Sequence, residues 1–315
     1  MSIYKLLPPC KDYLWGGRRL VDEYGIKYDG KVCAEAWMLS CHRDGECVVD
    51  SGRFAGKGLS EVIKAKGKEV LGTNCSKYSD FPIMIKLIDA REKLSLQVHP
   101  DDAYALNNEG QYGKTEVWYI LDADEGACLY KGFEKDITSE EFIERVINGT
   151  LSDVIHKIYV KKGDVVFVPP GTLHAIGEGI LLAEIQQSSD ITYRISDYGR
   201  LGADNKPRPL QIIKALDVLD FHKTTEAPSF DGHLCNCDYF TVDSYRISPE
   251  KSYFGVANDS SFVSLIVTEG DGEVSNSKES FKVIKGDSLF ISAGSGNFTV
   301  NGNLDLICTR VRSNS

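Results

Sequence analysis

The sequence predicts a mainly β protein, built as an antiparallel sandwich or barrel with a few inserted α-helices. Two observations predict this class. Short runs rich in Val, Ile, Tyr and Phe are separated by Gly, Asn and Asp, as in DVVFVPPG (164–171) and SFVSLIVTEG (261–270). Amphipathic segments of helical period are few, whereas a parallel βαβ arrangement would alternate them regularly with the strands.

The strand-like runs follow one another with turn residues between them. Each is long enough for one strand, and each ends at a turn-forming residue or a charged position. Along the chain they are FPIMIKLIDA (81–90), EVWYILDA (116–123), DVVFVPPG (164–171), SFVSLIVTEG (261–270), SFKVIKGDSLFIS (280–292) and FTVNGNLDLICTRV (298–311).

Four segments are predicted to be helical. The segment 60–72 begins at Ser60 and ends at Gly72, a cap-and-stop pair. A short helical turn is expected after Asp101 and Asp102. The segment 138–150 carries a Thr-x-x-Glu capping box and stops at Asn-Gly, and 209–219 is opened by a proline.

Composition and charge limit the function classes. The chain has 315 residues, 42% of them hydrophobic and 26% charged, which is typical of a globular protein with about two domains. Its net charge is -10 and no basic stripe stands out, so nucleic acid and anionic membranes are not expected as partners. An anionic small molecule would need local Lys or Arg side chains to overcome this charge.

The cysteine pattern and the hydropathy predict a cytoplasmic protein. No signal peptide and no transmembrane run is recognisable in the sequence. The nine cysteines are odd in number and scattered, which favours reduced thiols over a disulfide framework.

An internal echo predicts two related β-domains. Residues 163–174 (GDVVFVPPGTLH) and 286–297 (GDSLFISAGSGN) both read Gly-Asp, an apolar strand and a turn containing glycine. The position three residues past that glycine is His174 in the first copy and Asn297 in the second. The second copy is therefore expected to bind no metal.

A polar pair lies on one face of the strand-like run LSLQVHPDD. Side chains at i and i+2 of a strand leave the same face, so Gln97 and His99 point the same way, with Leu96 and Val98 opposite them. The Gln/His face lines a cavity or a metal site, or else it faces water.

Two further residues complete a possible metal-binding set. Glu116 opens the apolar strand EVWYIL, a costly place for a carboxylate that has no partner, and His174 follows the rigid turn VPPGT. Two imidazoles, one carboxylate and the Gln97 amide suit a divalent ion of borderline softness, zinc foremost. Because the residues come from several strands, the site is expected inside a β-barrel.

Charged residues accompany this set. Lys114 precedes Glu116 by two residues, so the two would share a strand face. Glu184 begins the polar run EIQQ, and Arg194 follows ten residues later. Such side chains beside a metal are suited to an anionic, oxygen-rich substrate.

Several motifs together resemble the type I mannose-6-phosphate isomerases, in their short bacterial form with two cupin domains. They run in family order through the first 200 residues: LWGG (14–17), AEAW (34–37), LSLQVHPDD (94–102), GKTEVW (113–118), PPGTLHAIGEG (169–179) and SSDITYRISDYGR (188–200). The resemblance implies two cupin (jelly-roll β-barrel) domains with inserted helices. Residues 1–235 would form the catalytic metal-binding domain and residues 236–315 a metal-free cupin-like domain.

The resemblance also implies roles for single residues. His99, Glu116 and His174 would bind one zinc ion per chain, with Gln97 as a fourth ligand or close neighbour. Arg194 would be the active-site arginine, and Lys114 and Glu184 would line the sugar site as catalytic candidates. The substrate-binding set implied is Lys86, Ser95, Lys114 and Arg194, with Arg194 or Lys86 available for the phosphate.

The activity implied is the interconversion of mannose 6-phosphate and fructose 6-phosphate through a cis-enediol. Two functions of other classes stay open at this point. A metal-dependent cupin oxygenase would use the same two histidines and one carboxylate with iron. A non-catalytic sugar-phosphate-binding cupin would keep the pocket but lack a working base. The oligomeric state is not predicted by the sequence.

Overall fold

The protein is predominantly β-sheet, as expected. The computed structural model describes residues 3–202, 205–225 and 228–313. The strands, numbered along the chain, are β1 (Ile3–Leu7), β2 (Cys10–Lys11), β3 (Glu35–Leu39), β4 (Cys41–His42), β5 (Gly45–Glu46), β6 (Val48–Val49), β7 (Ile83–Ala90), β8 (Leu96–Val98), β9 (Glu116–Ala123), β10 (Cys128–Phe133), β11 (Ile155–Tyr159), β12 (Val165–Val168), β13 (His174–Ile176), β14 (Ile180–Gln187), β15 (Tyr193–Ser196), β16 (Cys235–Asn236), β17 (Phe240–Ile247), β18 (Tyr253–Ala257), β19 (Val263–Ser275), β20 (Ser280–Ile284), β21 (Ser288–Ile291) and β22 (Gly296–Val311).

The helices are short. They are α1 (Arg19–Asp22), α2 (Leu59–Lys66), α3 (Asp102–Asn108), α4 (Ser139–Asn148) and α5 (Ile212–Val218), with 3-10 turns at Gly52–Phe54, Lys68–Leu71, Thr73–Cys75 and Leu151–Asp153. The expected capping of α4 is confirmed, since the Glu141 N–H donates to Thr138 Oγ1 at 3.1 Å and Gly149 closes the helix in the left-handed conformation.

One helix prediction is wrong in its extent. The sequence predicted a single helix over 60–72, but α2 ends at Lys66 and only a 3-10 turn follows. Gly67 interrupts it with a φ of +95°, a conformation that glycine adopts without a steric penalty. The amphipathic pattern continues across Gly67, which is why periodicity alone missed the break.

The chain forms two compact units, each made of several segments. The first contains Met1–Lys11, Arg18–Leu87 and Ser229–Ser315, and the second contains Asp12–Gly17 and Ile88–Pro228. The division expected at residues 235/236 concerns domains rather than compact units, and it stays a proposal.

The first unit contains a nine-stranded sheet, which follows the order β16-β17-β22-β19-β21-β1-β6, with β18 on β22 and β20 on β19. The long strands β19 and β22 pair over most of their length. Their alternating inward side chains form one core, which includes Leu265, Val267, Leu306 and Cys308.

The second unit contains a five-stranded sheet in the order β11-β10-β13-β8-β15, and the antiparallel strands β12, β9 and β14. One face of the five-stranded sheet packs on helices, in a core that includes Leu96, Val98, Ala175, Phe142 and Ala215. Since strand side chains alternate, Gln97 and His174 leave the opposite face of this sheet. The alternation therefore places these polar side chains on the face away from the apolar core, where they can form a site.

The two copies of the internal echo form similar turns before a strand. The Gly-Asp pairs precede β12 and β21, and their glycines have φ values of +93° (Gly163) and +90° (Gly286). Both turns therefore use the left-handed backbone that glycine supplies.

All nine cysteines are free thiols. Among the described residues, the structure has no helix that is long and apolar enough to cross a membrane.

Candidate metal centre and active site

Three side chains of the second unit converge at one point. His99 Nε2 lies 3.1 Å from His174 Nε2 and 3.8 Å from Glu116 Oε2, and His174 Nε2 lies 3.3 Å from Glu116 Oε1. All three side chains are essentially inaccessible to solvent. The structure thus brings together the three ligands that the sequence predicted, in a group that could hold a metal ion.

The spacing of these atoms fits a small divalent cation. Donors bound at about 2.0–2.2 Å in a tetrahedral arrangement are about 3.3–3.6 Å apart. The three measured separations, 3.1 to 3.8 Å, bracket that range. Two imidazoles and one carboxylate are also the donor types that zinc accepts.

His174 is oriented by a second hydrogen bond. Its Nδ1 donates to the Thr172 carbonyl oxygen at 2.8 Å, which leaves the Nε2 lone pair directed at the centre. Burial lowers the pKa of His174 to about 4, against the opposing effect of the Thr172 carbonyl. His174 is therefore neutral at pH 7, as a metal ligand must be.

The fold explains why these three residues, far apart in sequence, meet. Glu116 is the first residue of β9, His174 is the first residue of β13, and His99 directly follows β8. The Gly171 N–H donates to the His99 carbonyl at 2.9 Å, which ties the turn before β13 to the end of β8. Gly171 has a φ of +81°, so this turn needs the freedom of glycine.

Lys114 and Glu184 lie beside His99, Glu116 and His174. Lys114 Nζ is 2.8 Å from Glu116 Oε2, 3.2 Å from His99 Nε2 and 3.5 Å from Glu184 Oε1. Glu184 Oε2 accepts a hydrogen bond from Trp118 Nε1 at 3.1 Å. A buried cation is thus placed between two buried carboxylates, an arrangement that can hold or transfer a proton.

Gln97 and Arg194 continue this site across the sheet. Gln97 is paired by register with His174 on one side and with Arg194 on the other. Directly opposed residues lie on the same face, about 4.5–5.5 Å apart. Ser95 Oγ donates to Gln97 Oε1 at 3.5 Å and accepts from Arg194 Nε at 3.3 Å, so it joins the two.

Arg194 belongs to a cationic group. Burial and the neighbouring guanidinium of Arg208 lower the pKa of Arg194, while Asp197 raises it. Asp197 itself accepts from Arg208 Nε at 2.7 Å and from Arg200 Nη2 at 2.7 Å. Two guanidinium groups thus bind one carboxylate and a third lies near enough to be influenced by both, which leaves an excess of positive charge here in a chain of net charge -10.

Lys86 lies in the part of β7 that belongs to the first unit. It is buried there, with its Nζ 3.9 Å from Glu35 Oε2 and 5.5 Å from the Trp37 ring centroid. Its predicted role in substrate binding stays a prediction.

Sequence reasoning missed three residues of this region. Trp118 binds Glu184, Asp197 holds two arginines, and Lys131 is the register partner of His174 on the next strand. Lys131 is 6% exposed, and burial lowers its pKa. The alternation of strand side chains could have placed Trp118 on the face of Glu116, whereas the other two depend on strand pairing that the sequence does not reveal.

Two family models match the chain. The model of the phosphomannose isomerase type I catalytic domain matches residues 3–132, and that of the mannose-6-phosphate isomerase cupin domain matches residues 231–311. The cupin expectation for the fold is thereby confirmed.

Similar proteins cover nearly the whole chain. The mannose-6-phosphate isomerase of Streptococcus mutans is 37% identical over 304 residues, which cover 94% of each chain. ManA of Bacillus subtilis is 32% identical over 314 residues, covering 96% of this chain and 97% of the relative.

Solved structures show the same fold. A crystal structure of the Bacillus subtilis mannose 6-phosphate isomerase superposes with a TM-score of 0.90 at 33% identity, covering 98% of this chain and 99% of that chain. A phosphomannose isomerase structure from Salmonella typhimurium superposes with a TM-score of 0.79 at 16% identity, covering 99% of this chain and all of the other, which supports the fold alone.

Proposed function

The chain belongs to the type I phosphomannose isomerase family, and we propose that it interconverts mannose 6-phosphate and fructose 6-phosphate at a metal centre formed by His99, Glu116 and His174. The observation that carries this proposal is the convergence of these three buried donors beside Lys114 and Glu184. An aldose–ketose isomerase needs such a combination, because it must acidify a carbon-bound proton and then move it.

The proposed metal is zinc, one per chain. Its ligands would be His99, Glu116 and His174, with Gln97 as a fourth ligand or close neighbour. Two neutral histidines and one carboxylate leave a zinc site with about one net positive charge, and the bound ion would supply Lewis acidity toward the carbonyl and hydroxyl oxygens of the substrate. The donor types and their separations support this choice.

Proton transfer is assigned to Lys114 and Glu184. The reaction moves a proton between C2 and C1 of the sugar through a cis-enediol, so one group must accept it and return it. Glu184 Oε1 and Lys114 Nζ lie 3.5 Å apart, close enough to pass a proton from one to the other beside a bound substrate. Trp118 occupies the other oxygen of Glu184, which fixes the carboxylate in one orientation.

The phosphate is assigned to the group around Arg194. The row His174, Gln97, Arg194 spans two strand spacings, about 10 Å between the outer backbones. That length suits a hexose phosphate whose carbonyl end faces the ligands and whose phosphate faces the arginine. Arg194 Nη1 donates to the Pro209 carbonyl at 3.3 Å, and its Nη2 has no hydrogen-bond partner among the described residues, so it is available to an anion.

The nine free thiols support the cytoplasm as the proposed location, because disulfides are rare there.

A coupled assay tests the proposal. The purified protein is incubated in deuterium oxide with mannose 6-phosphate, and fructose 6-phosphate formation is measured together with deuterium entry at C1 and C2. Isomerisation with solvent exchange, without oxygen, is expected. Dependence of turnover on oxygen would indicate an oxygenase, and binding without turnover or exchange would indicate a sugar-phosphate sensor; either would refute the proposal.

A further inference from the structure

Three consecutive backbone N–H groups around Lys114 are bound by neighbouring segments. The Gly113 N–H donates to Asp102 Oδ1 at 2.8 Å, and the Thr115 N–H donates to Gln187 Oε1 at 2.9 Å. The Lys114 N–H between them donates to the Pro100 carbonyl at 3.0 Å. Hydrogen bonds from all three N–H groups therefore hold the backbone that carries Lys114 in place.

The two side chains that bind this backbone also bind each other. Gln187 Nε2 donates to the same Asp102 Oδ1 at 2.9 Å, and Gln187 is 2% exposed. The backbone of Gln187 is held in turn, because its N–H donates to the Thr115 carbonyl and its carbonyl accepts from Gln186 Nε2 at 2.8 Å. Gln187 and Asp102 thus form one connected pair, which we call the clamp.

The clamp connects the three segments that carry the active-site side chains. Asp102 follows His99 at the end of β8, Gln187 ends the strand of Glu184, and Gly113 to Thr115 lead into Glu116. The segments are also closely packed at Gly113. A Cβ on Gly113 would lie 2.6 Å from Asp102 N and 2.7 Å from the Pro100 oxygen. The backbone approach at this point requires glycine.

We propose that Asp102 and Gln187 are positioning residues, which hold Lys114 between Glu116 and Glu184 without touching substrate. The distances that they set are the 2.8 and 3.5 Å from Lys114 Nζ to the two carboxylates. A displacement of about 1 Å at a reacting group can cost about 100-fold in rate. The proposal rests on the proposed isomerase function for its kinetic readout.

Exchanging the acid and the amide between positions 102 and 187 provides the test, because the double variant keeps the net charge of the pair. In the variant Gln187→Glu the new carboxylate faces that of Asp102 and the amide donor is lost. Asp102→Asn alone keeps an oxygen that accepts from both Gly113 and Gln187. The double variant restores the bond between the two side chains, since an amide at 102 donates to a carboxylate at 187, which still accepts from the Thr115 N–H. The Gly113 N–H is not restored, because Asp102 Oδ1 accepts both bonds in the wild type and an amide nitrogen in its place accepts neither.

We expect Gln187→Glu to lower kcat about 10- to 100-fold with little change in KM or metal content. Asp102→Asn should be within about threefold of the wild type, and the double variant should recover part of the lost rate. Asp217→Asn is the matched control, because it makes the same acid-to-amide exchange in α5, where Asp217 accepts from Tyr104 of α3 at 2.9 Å, away from Lys114. Gln187→Met, an uncharged variant of similar size, replaces Gln187→Glu if the latter does not fold.

Hydrogen exchange of the 113–115 amides gives a readout that does not depend on turnover. Faster exchange is expected in Gln187→Glu, and the Thr115 amide should return to slower exchange in the double variant. Normal kcat and unchanged exchange in Gln187→Glu, or a double variant as impaired as the single one, would overturn the clamp. An inactive wild-type protein would instead refute the proposed function, and the exchange data would still decide on the clamp.

Discussion

Lys114 Nζ lies 2.8 Å from Glu116 Oε2, while the other oxygen of Glu116 faces His174 at 3.3 Å. The carboxylate is thus divided between a cation and the proposed metal centre. Both side chains are almost fully buried, so neither charge is stabilised by bulk water. Lys114 therefore stabilises the negative charge of Glu116 and can also act on the substrate.

Replacing Lys114 by Met tests that double role. We expect kcat to fall at least ~100-fold, because a proton-transfer group is lost, while the metal stays bound through the three ligands. Steady-state kinetics and metal analysis of the same preparation measure both. Lys135→Met is the matched control, since Lys135 forms an exposed pair with Glu141 at 3.0 Å. Normal turnover in Lys114→Met would exclude a catalytic role.

His174→Ala tests the metal centre. Three protein ligands become two, so we expect metal affinity to fall by more than ~100-fold. Removing a residue that only supports a ligand costs up to about 100-fold. His156→Ala provides the control, because His156 pairs with Glu134 at the surface, 3.0 Å away. The measurement is metal content after gel filtration. Stoichiometric metal in His174→Ala would show that the ligand set is wrong.

Arg194→Ala tests the phosphate assignment. We expect an intact fold and full metal content with kcat/KM for mannose 6-phosphate reduced about 100-fold, the scale for one charged stabiliser. If the guanidinium mainly holds the phosphate, turnover of mannose itself should change little. Arg145→Ala, which removes a helix pair with Glu141, is the control. Near-normal mannose 6-phosphate turnover in Arg194→Ala would show that this arginine does not bind the substrate.

Asp197 predicts a pH-dependent stability. Burial raises the pKa of its carboxyl, but hydrogen bonds from Arg208 and Arg200 outweigh this and lower it overall. A lowered pKa stabilises the folded protein above the ordinary value of about 3.9, and this contribution is lost as the pH falls through the lower folded value. Asp197→Asn should thus have a lower Tm than the wild type at pH 7, with a smaller difference below about pH 4. An equal Tm difference at both pH values would contradict this.

Much of the fold could be predicted from local patterns. Runs rich in Val, Ile, Tyr and Phe between turn residues placed strands such as β9 and β12, and the Thr138 cap and Gly149 placed α4. The break at Gly67 was missed, because one glycine inside an amphipathic pattern looks tolerable until its backbone conformation is known.

The site could be predicted only in part. The shared face of Gln97 and His99 follows from strand geometry, and the burial of Glu116 follows from its apolar surroundings. The partners of Asp197 and Gln187 could not be predicted, because those contacts depend on how distant strands and loops pack. Residues that only orient other residues have less distinctive sequence patterns than the proposed metal ligands have.

Metal removal and restoration test the central claim most directly. The protein is depleted with a chelator, and the coupled rate from mannose 6-phosphate to fructose 6-phosphate is measured before depletion, after it, and after addition of one equivalent of zinc. We predict loss of the rate on depletion and its recovery with zinc, with no recovery in His174→Ala. An undiminished rate in metal-free protein would contradict the assignment of His99, Glu116 and His174 as a catalytic metal centre.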